Sequence, residues 1–430
     1  MEISGSHVHP NPSRGSGVVR SAMPILISFE FLYICVLFGF PIDAVPIIGE
    51  YSFFTNIFFG LAATIYGTFA YYRLSWKLPR LVFLTLVIHL IFTMFVALNM
   101  LPTIDVYHIA VKKVILLLFG GTWAILGAGL IVGDRNGPKR FVTAMLIYGL
   151  LFTFMNMLLP AASGGSIRTV LTENYQHASR ASGLGVIACL AILFQGRLTL
   201  AKKAMVIALL VFSLLAQLSS GGRTGLGASF ICMFVFLMVN IRFKGRSFQI
   251  NKRFFFYMMF VVIGLIGLGY LISTGWRPAT INRFLIILEG ASELNVSFNN
   301  RADRFSKFGE LFFQAPIFGN GTGSWDEISG EVDSYYPHNL IMELFVEQGV
   351  FGAMLFLLPM LYFLVSFFKN SNFREHYEYF AIFAYFTYVF TTVMFTGDLG
   401  INMYLMSALA MLAVRPKNVH SDQPEIDVTR

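Results

Sequence analysis

The sequence predicts an all-α polytopic membrane protein with about twelve transmembrane helices and one large loop between late spans. Three observations carry that reading. The 430 residues are 56% hydrophobic and only 13% charged, whereas about a quarter of the residues of a soluble domain are charged. Apolar runs near the ~20 residues that cross a bilayer recur along the chain. The basic residues fall in alternate loops between those runs, as the positive-inside rule requires.

In chain order, residues 1–21 are polar, rich in Ser, Gly and Pro, and carry Arg14 and Arg20. They read as a disordered cytoplasmic tail; no short apolar region with a small-residue cleavage site is present, so the first span is expected to be retained. The first part of the bundle fills 22–274, with runs near 22–41, 53–72, 81–100, 114–133, 141–159, 183–195, 203–219, 225–241 and 254–274. The run 183–195 is the shortest and contains glycine. Residues 275–348 form a loop with amphipathic helices, 349–414 the last part of the bundle (runs near 349–368, 378–396 and 399–414), and 415–430 a second cytoplasmic tail.

The loops set the orientation. Arg73, Lys77 and Arg80 share one loop; Arg135, Lys139 and Arg140 share the next but one. Arg197, Lys202 and Lys203 follow, then Arg242, Lys244, Arg246, Lys252 and Arg253, then Lys369 and Arg374, then Arg415 and Lys417. About two thirds of the 31 Lys and Arg therefore lie on one face, which places both termini in the cytoplasm and the loops 160–182 and 275–337 outside. The net charge of +8 is thus a topology signal and does not indicate nucleic acid. Cys35, Cys189 and Cys232 lie far apart inside apolar runs and read as small apolar residues.

The stretch from Tyr335 to Gly352 joins polar to apolar chain. Pro337 suits the first turn of a helix, on which Asn339, Glu343 and Glu347 make a polar stripe at i, i+4, i+8. Unopposed carboxylates at that spacing repel, so the stripe calls for cationic partners. His338 stands at its mouth, the side chain there that titrates near neutral pH. Upstream, 299–313 reads as an amphipathic helix carrying Arg301, Arg304 and Lys307, and the Gly-rich run 319–323 as a turn or mobile link. Arg223, in Ser-Gly-Gly-Arg223-Thr, combines a glycine bend with a guanidinium and suits an anionic oxygen cluster. Arg168 and Arg180 flank a polar run in the 160–182 loop and add possible phosphate or sugar contacts. The acidic residues Asp326, Glu327, Glu331 and Asp333 match no calcium loop and no metal-dependent transferase spacing, so no metal or other cofactor is expected.

Together His338-Asn339…Glu347-x-Gly349-x-x-Gly352, the Pro316-x-Phe-Gly-x-Gly321 turn, Arg301 and Ser-Gly-Gly-Arg223-Thr resemble the bacterial O-antigen ligase and polymerase superfamily. The resemblance covers most of the chain in topology, with its motifs concentrated in 219–225 and 300–352. It implies a GT-C-like, metal-independent, inverting glycosyltransferase of the inner membrane with a periplasmic site. The implied donor is an undecaprenyl-diphosphate-linked glycan and the acceptor a glycan or lipid A core sugar; membrane lipids and other polysaccharide-assembly proteins are the implied neighbours. Carried over, Arg223 and Arg301 hold the diphosphate and His338 is the base. Arg304, Asn339, Glu343, Glu347, Arg168 and Arg180 complete the candidate substrate-binding set. Arg168 matches loosely, because the Asn-Pro-Asn run expected near it reads Asn174-Tyr-Gln.

The elaborated 275–337 loop favours a polymerase of an O-antigen or exopolysaccharide over a ligase that moves the finished chain to a lipid A core sugar or a protein. A transporter is the rival class. Transporters place ionisable groups at mid-membrane, where this chain has only Glu30 and His89 inside its spans. The topology is open to a direct check: a cysteine at Ser334 reacts with a membrane-impermeant thiol reagent in intact cells and one at Ser421 does not. The opposite labelling pattern inverts the orientation and removes the periplasmic site.

Overall fold

The computed structural model describes residues 28–39, 52–73, 78–100, 107–158, 175–195, 198–244, 247–250, 252–276, 278–288, 296–329, 337–370, 376–396, 399–400 and 402–413. The two tails, Arg168 and most of the 160–182 loop lie outside them. A helix occupies each apolar run: α1 (Phe29–Phe38), α2 (Ser52–Arg73), α3 (Arg80–Leu98), then α4 (Tyr107–Ile115) joined by a π turn (Leu116–Gly121) to α5 (Thr122–Gly133). Next come α6 (Gly137–Leu158), α7 (Tyr175–Phe194), α8 (Leu200–Ser220) and α9 (Arg223–Val239). A hairpin of β1 (Ile241–Lys244) and β2 (Ser247–Ile250) leads to α10 (Lys252–Ser273). The loop region holds α11 (Ala279–Leu288), α12 (Val296–Gln314) and the short α13 (Trp325–Ser329), before α14 (Leu340–Asn370), α15 (Tyr377–Thr396) and α16 (Met403–Met411). Among the described residues, seven helices are long and apolar enough to cross a membrane. The protein is an all-α polytopic membrane protein.

The centre of the bundle is α7, the most buried of those seven, packed by α6, α8, α9 and α15. Small residues let the backbones meet, as in membrane helix packing generally. A Cβ on Gly149 of α6 would lie 2.1 Å from the backbone nitrogen of Gly185. The helix starts at Tyr175, well before the apolar run that announced it, so Arg180 is a helix residue and not a loop residue. The reason is local satisfaction: the Ser179 hydroxyl donates to the Gly222 carbonyl at 2.9 Å, and Gln217 Nε2 donates to the Ser179 carbonyl at 2.9 Å. Polar residues that look like loop in one dimension are here the inner face of a helix.

The ionisable groups inside the spans have partners. Glu30, 2% exposed, accepts from Arg140 Nε at 2.9 Å, and Arg140 also reaches Asp134 at 2.7 Å. His89 Nε2 lies 2.9 Å from the carbonyl of Leu117 in the π turn, where a wide turn exposes backbone oxygen. Cys35, Cys189 and Cys232 are buried and unbridged.

Candidate functional site

The site is built around the start of α14. Asn339 caps it: the backbone N–H of Met342 donates to Asn339 Oδ1 at 3.0 Å, and that of Glu343 to the Asn339 carbonyl at 3.0 Å. The helix therefore opens at Leu340, later than Pro337 suggested, because the asparagine terminates the preceding chain. His338, half-buried, sits immediately before the cap with φ 59° and is the non-glycine residue at positive φ among the described residues. Such a backbone costs on the order of 1–3 kcal/mol and persists where the surroundings over-determine it.

The surroundings do so with ion pairs. Lys113 of α4 places Nζ 2.6 Å from Glu343 Oε1 and 2.7 Å from Glu347 Oε1. Lys113 is 2% exposed and both glutamates 0%. The remaining carboxylate oxygens are taken by backbone: Glu347 Oε2 accepts from Gly323 N–H at 2.9 Å and Glu343 Oε2 from Leu399 N–H at 2.9 Å. The cationic partner that the stripe required is thus a lysine on a distant helix. Lys113 went unselected in the sequence, although a Lys-Lys pair at the edge of an apolar run, on the face otherwise poor in basic residues, was its available signal.

One turn further, α14 is interrupted at Gly349 (φ 65°, ψ −174°). The two N–H groups that would bond back within the helix go elsewhere: Val350 donates to the Pro316 carbonyl at 2.9 Å and Phe351 to that of Ile317 at 3.0 Å. The carbonyls they leave are filled by the turn itself. Asn320 N–H donates to Val346 at 2.9 Å and Gly321 N–H to Glu347 at 3.1 Å. The turn thus replaces the helix's own bonds one for one. Only glycine permits the approach, since a Cβ on Gly319 would lie 2.3 Å from the Glu347 carbonyl oxygen and one on Gly349 2.3 Å from that of Ile317. At the end of α3, Asn99 Nδ2 seals the joint, donating to Glu347 O at 2.7 Å and Phe318 O at 2.9 Å. The run 319–323 is an anchored turn and not a mobile link. The reading 275–348 for the loop ends beside this interruption, although α14 itself continues through it.

The cations divide between two places. Arg304 lies on α12 and is 5% exposed; Arg301, one turn earlier on α12, shares its face by spacing, and its side chain lies outside the described residues. Lys307 of the same series donates to the Ser329 carbonyl at 2.9 Å and ties down α13. Leu311, Trp325, Met342 and Val346 form a small core that fixes α12 and α13 against α14. Elsewhere on the face, Arg223 is the first residue of α9, after a left-handed Gly221 (φ 84°) and a Gly222 cap without a side chain. Helix N–H groups and a half-buried guanidinium therefore coincide there, a setting for an anion. The Ser179–Gly222 hydrogen bond joins this start to α7, whose next residue is Arg180. Arg180 reaches Tyr404 Oη at 3.5 Å and Gln176 Oε1 at 3.4 Å. Leu399, bonded to Glu343, leads along the chain to Tyr404, so the α15–α16 connection links the His338 helix to Arg180 and through it to Arg223. Asp326 and Glu327 lie on α13, their side chains outside the described residues, as are Glu331 and Asp333.

Residues 208–357 match the family model described as O-antigen ligase. The match spans about a third of the chain. That segment contains Arg223, Arg301, Arg304, His338, Asn339, Glu343, Glu347 and the Gly349 interruption, while Arg168, Arg180 and Lys113 lie before it. No curated protein matches the chain.

The buried triad has a measurable cost of disruption. Lys113→Met leaves two carboxylates unopposed and is expected to cost about 3–5 kcal/mol, read as a lower Tm in detergent. Adding Glu343→Gln and Glu347→Gln recovers part of that loss, because no buried charge then remains. A Lys113→Met protein with the wild-type Tm removes the triad as the anchor of α14.

Proposed function

We propose that the protein is a metal-independent, inverting glycosyltransferase of the bacterial inner membrane with its site on the periplasmic side. It transfers a glycan from a polyprenyl-diphosphate carrier to a sugar hydroxyl. The observation that carries the reading is His338: a titratable residue on a strained backbone, at the mouth of a doubly anchored helix, inside the family segment. Strain held by such anchoring marks functional positions.

In this reading His338 accepts the proton of the acceptor hydroxyl as its oxygen attacks the anomeric carbon. The bond from that carbon to the diphosphate oxygen breaks, and its electron pair leaves with the diphosphate. Arg223 and Arg301 hold the leaving charge, a task for which fixed cations outperform water, with Arg304, Arg168 and Arg180 as further contacts for phosphate or sugar. Asn339, Glu343 and Glu347 serve the substrate by orienting the helix start. One direct displacement inverts the sugar carbon.

The acceptor follows the sequence reading: a second lipid-linked repeat, making the enzyme a polymerase of an O-antigen or exopolysaccharide. The match to the O-antigen ligase family favours the second reading, a ligase moving the finished chain to lipid A core or to protein. Purified protein given lipid-linked repeat alone distinguishes them, because a polymerase lengthens the chain and a ligase requires the core acceptor.

General base catalysis contributes about 10²–10⁴-fold, so His338→Ala and His338→Gln both nearly abolish transfer at unchanged protein level. Substantial activity in His338→Gln reduces His338 to a positioning residue. Arg223→Lys keeps the charge and loses the bidentate fork; the expected loss is about tenfold or more, given the strength of paired hydrogen bonds to phosphate. Full activity in the lysine variant makes Arg223 an interface anchor.

A further inference from the structure

Helix α12 has three sides, each marked by a pair of residues two turns apart. Arg304 and Leu311 are buried and turned inward. Asp303 and Glu310 are exposed, and Gln314 continues their row. Phe305 and the half-buried Phe312 mark the third side, and Phe313 borders it. Phe305 is 59% and Phe313 75% exposed. An amphipathic helix on a protein surface needs one apolar side for the core and one polar side for water. This helix has an apolar side left over, and exposed apolar surface of that kind marks an interaction site.

The leftover side runs on into the turn that follows, where Ile317 and Phe318 are 63% and 59% exposed. Their carbonyls accept from Phe351 N–H and Asn99 Nδ2, so the backbone is fixed in the joint while both side chains stay outside. The Phe318 ring lies 5.8 Å from that of Phe351. Phe351 in turn opens an exposed row with Met354, Leu358 and Leu361 on α14, a helix long and apolar enough to cross the membrane. An apolar row at helical spacing on such a helix faces lipid. Charge does not account for the patch. Of the described cationic side chains of α12, Arg304 is buried and Lys307 is tied to the Ser329 carbonyl, while the exposed polar side carries carboxylates.

We propose that α12 and the Pro316–Gly321 turn are seated in the bilayer leaflet on the His338 side. Phe305, Phe313, Ile317 and Phe318 enter the acyl region, and Asp303 and Glu310 stay toward water. A helix with this division lies at the boundary of headgroups and acyl chains. A second copy of the chain is the weaker occupant, because the patch has no polar border where it meets the lipid-facing row of α14. The seat holds α12 from two sides, the small core with α14 on one and the bilayer on the other, and so sets the depth of Arg304. It depends on α14 crossing the membrane and not on the transfer reading.

The test is depth, measured without turnover. The native cysteines are buried, so a nitroxide is attached in turn to Phe313→Cys, Phe318→Cys, Glu310→Cys and Met354→Cys. Each protein is placed in phosphatidylcholine nanodiscs at one copy per disc. Oxygen collects among acyl chains and a nickel chelate stays in water, so the ratio of their collision rates with the nitroxide reports depth. The ratios at 313 and 318 are expected to approach that at 354, which faces lipid, and to exceed that at 310 severalfold. They are expected to stay there when phosphatidylglycerol replaces half of the lipid, because apolar burial and not headgroup charge holds the seat. A ratio at 313 or 318 equal to that at 310 overturns the proposal for that element, and misfolding of one variant leaves the other to decide. A lipid-like ratio that appears only with phosphatidylglycerol overturns it by making the contact electrostatic. One that appears only in discs holding two copies overturns it by making the patch an interface between copies. Loss of transfer in the His338 variants moves none of these ratios, so the seat and the transfer reading fail separately.

Discussion

A lysine held between two buried carboxylates governs the site. Lys113, Glu343 and Glu347 are removed from water, and isolated charges in such a place are costly. The arrangement is tolerable because each carboxylate receives a second donor from backbone, Leu399 for one and Gly323 for the other. Those two donors belong to different loops. The three side chains therefore fasten four segments at once: α4, the start of α14, the glycine turn and the α15–α16 connection. A hydrophobic substitute could hold α4 against α14, but it would not select the register of two loops by hydrogen bonding. Specification of geometry is the role that suits this triad.

The Gly349 interruption does a complementary job. A continuous helix offers no free backbone groups in its middle, so a loop can only rest on it. By breaking once, α14 exposes two N–H groups and two carbonyls that the Pro316–Gly321 turn satisfies. The turn is then part of the helix's own hydrogen bonding, and α12, which precedes it, is carried to a fixed place beside the His338 end. Arg304 and Arg301 ride on that helix. The glycines at 319 and 349 are thus required by close approach, and the motif spacing of the sequence is the spacing of one joint.

Much of this was legible in one dimension and some could not be. All twelve apolar runs contain helices, because a twenty-residue apolar segment has few alternatives once water is absent. The Asn339–Glu343–Glu347 stripe correctly demanded a cation. Its supplier lies 230 residues from Glu343, and nothing in local periodicity points across that distance. Arg180 looked like loop since its neighbours are polar, yet inside the bundle Gln217 Nε2 donates to the Ser179 carbonyl and the Ser179 hydroxyl to that of Gly222. The glycine run 319–323 could be read as a turn or a mobile link because glycine permits both freedom and close contact, and only the partner surface decides between them. What sequence reading loses is the identity of long-range partners; what it retains is the need for them.

The strained His338 backbone takes its meaning from this frame. A residue at φ 59° next to a flexible loop would relax, since the β or α region is more favourable for a non-glycine side chain. Here the cap at Asn339 fixes the next residue, and Glu343 and Glu347 fix the turn after that through Lys113. Rotation of His338 toward an ordinary conformation would have to move either the chain entering from Pro337, which is buried, or the capped helix. The strain is small against a buried triad whose disruption costs several kcal/mol, so the triad prevails and the imidazole stays at the helix mouth. In the proposed reaction, a base at this position gains from such fixation, because geometry lost to motion is lost from the rate. Deep anchoring and the proposed chemistry at the helix mouth are compatible demands on one helix, because α14 carries its charges one and two turns below His338.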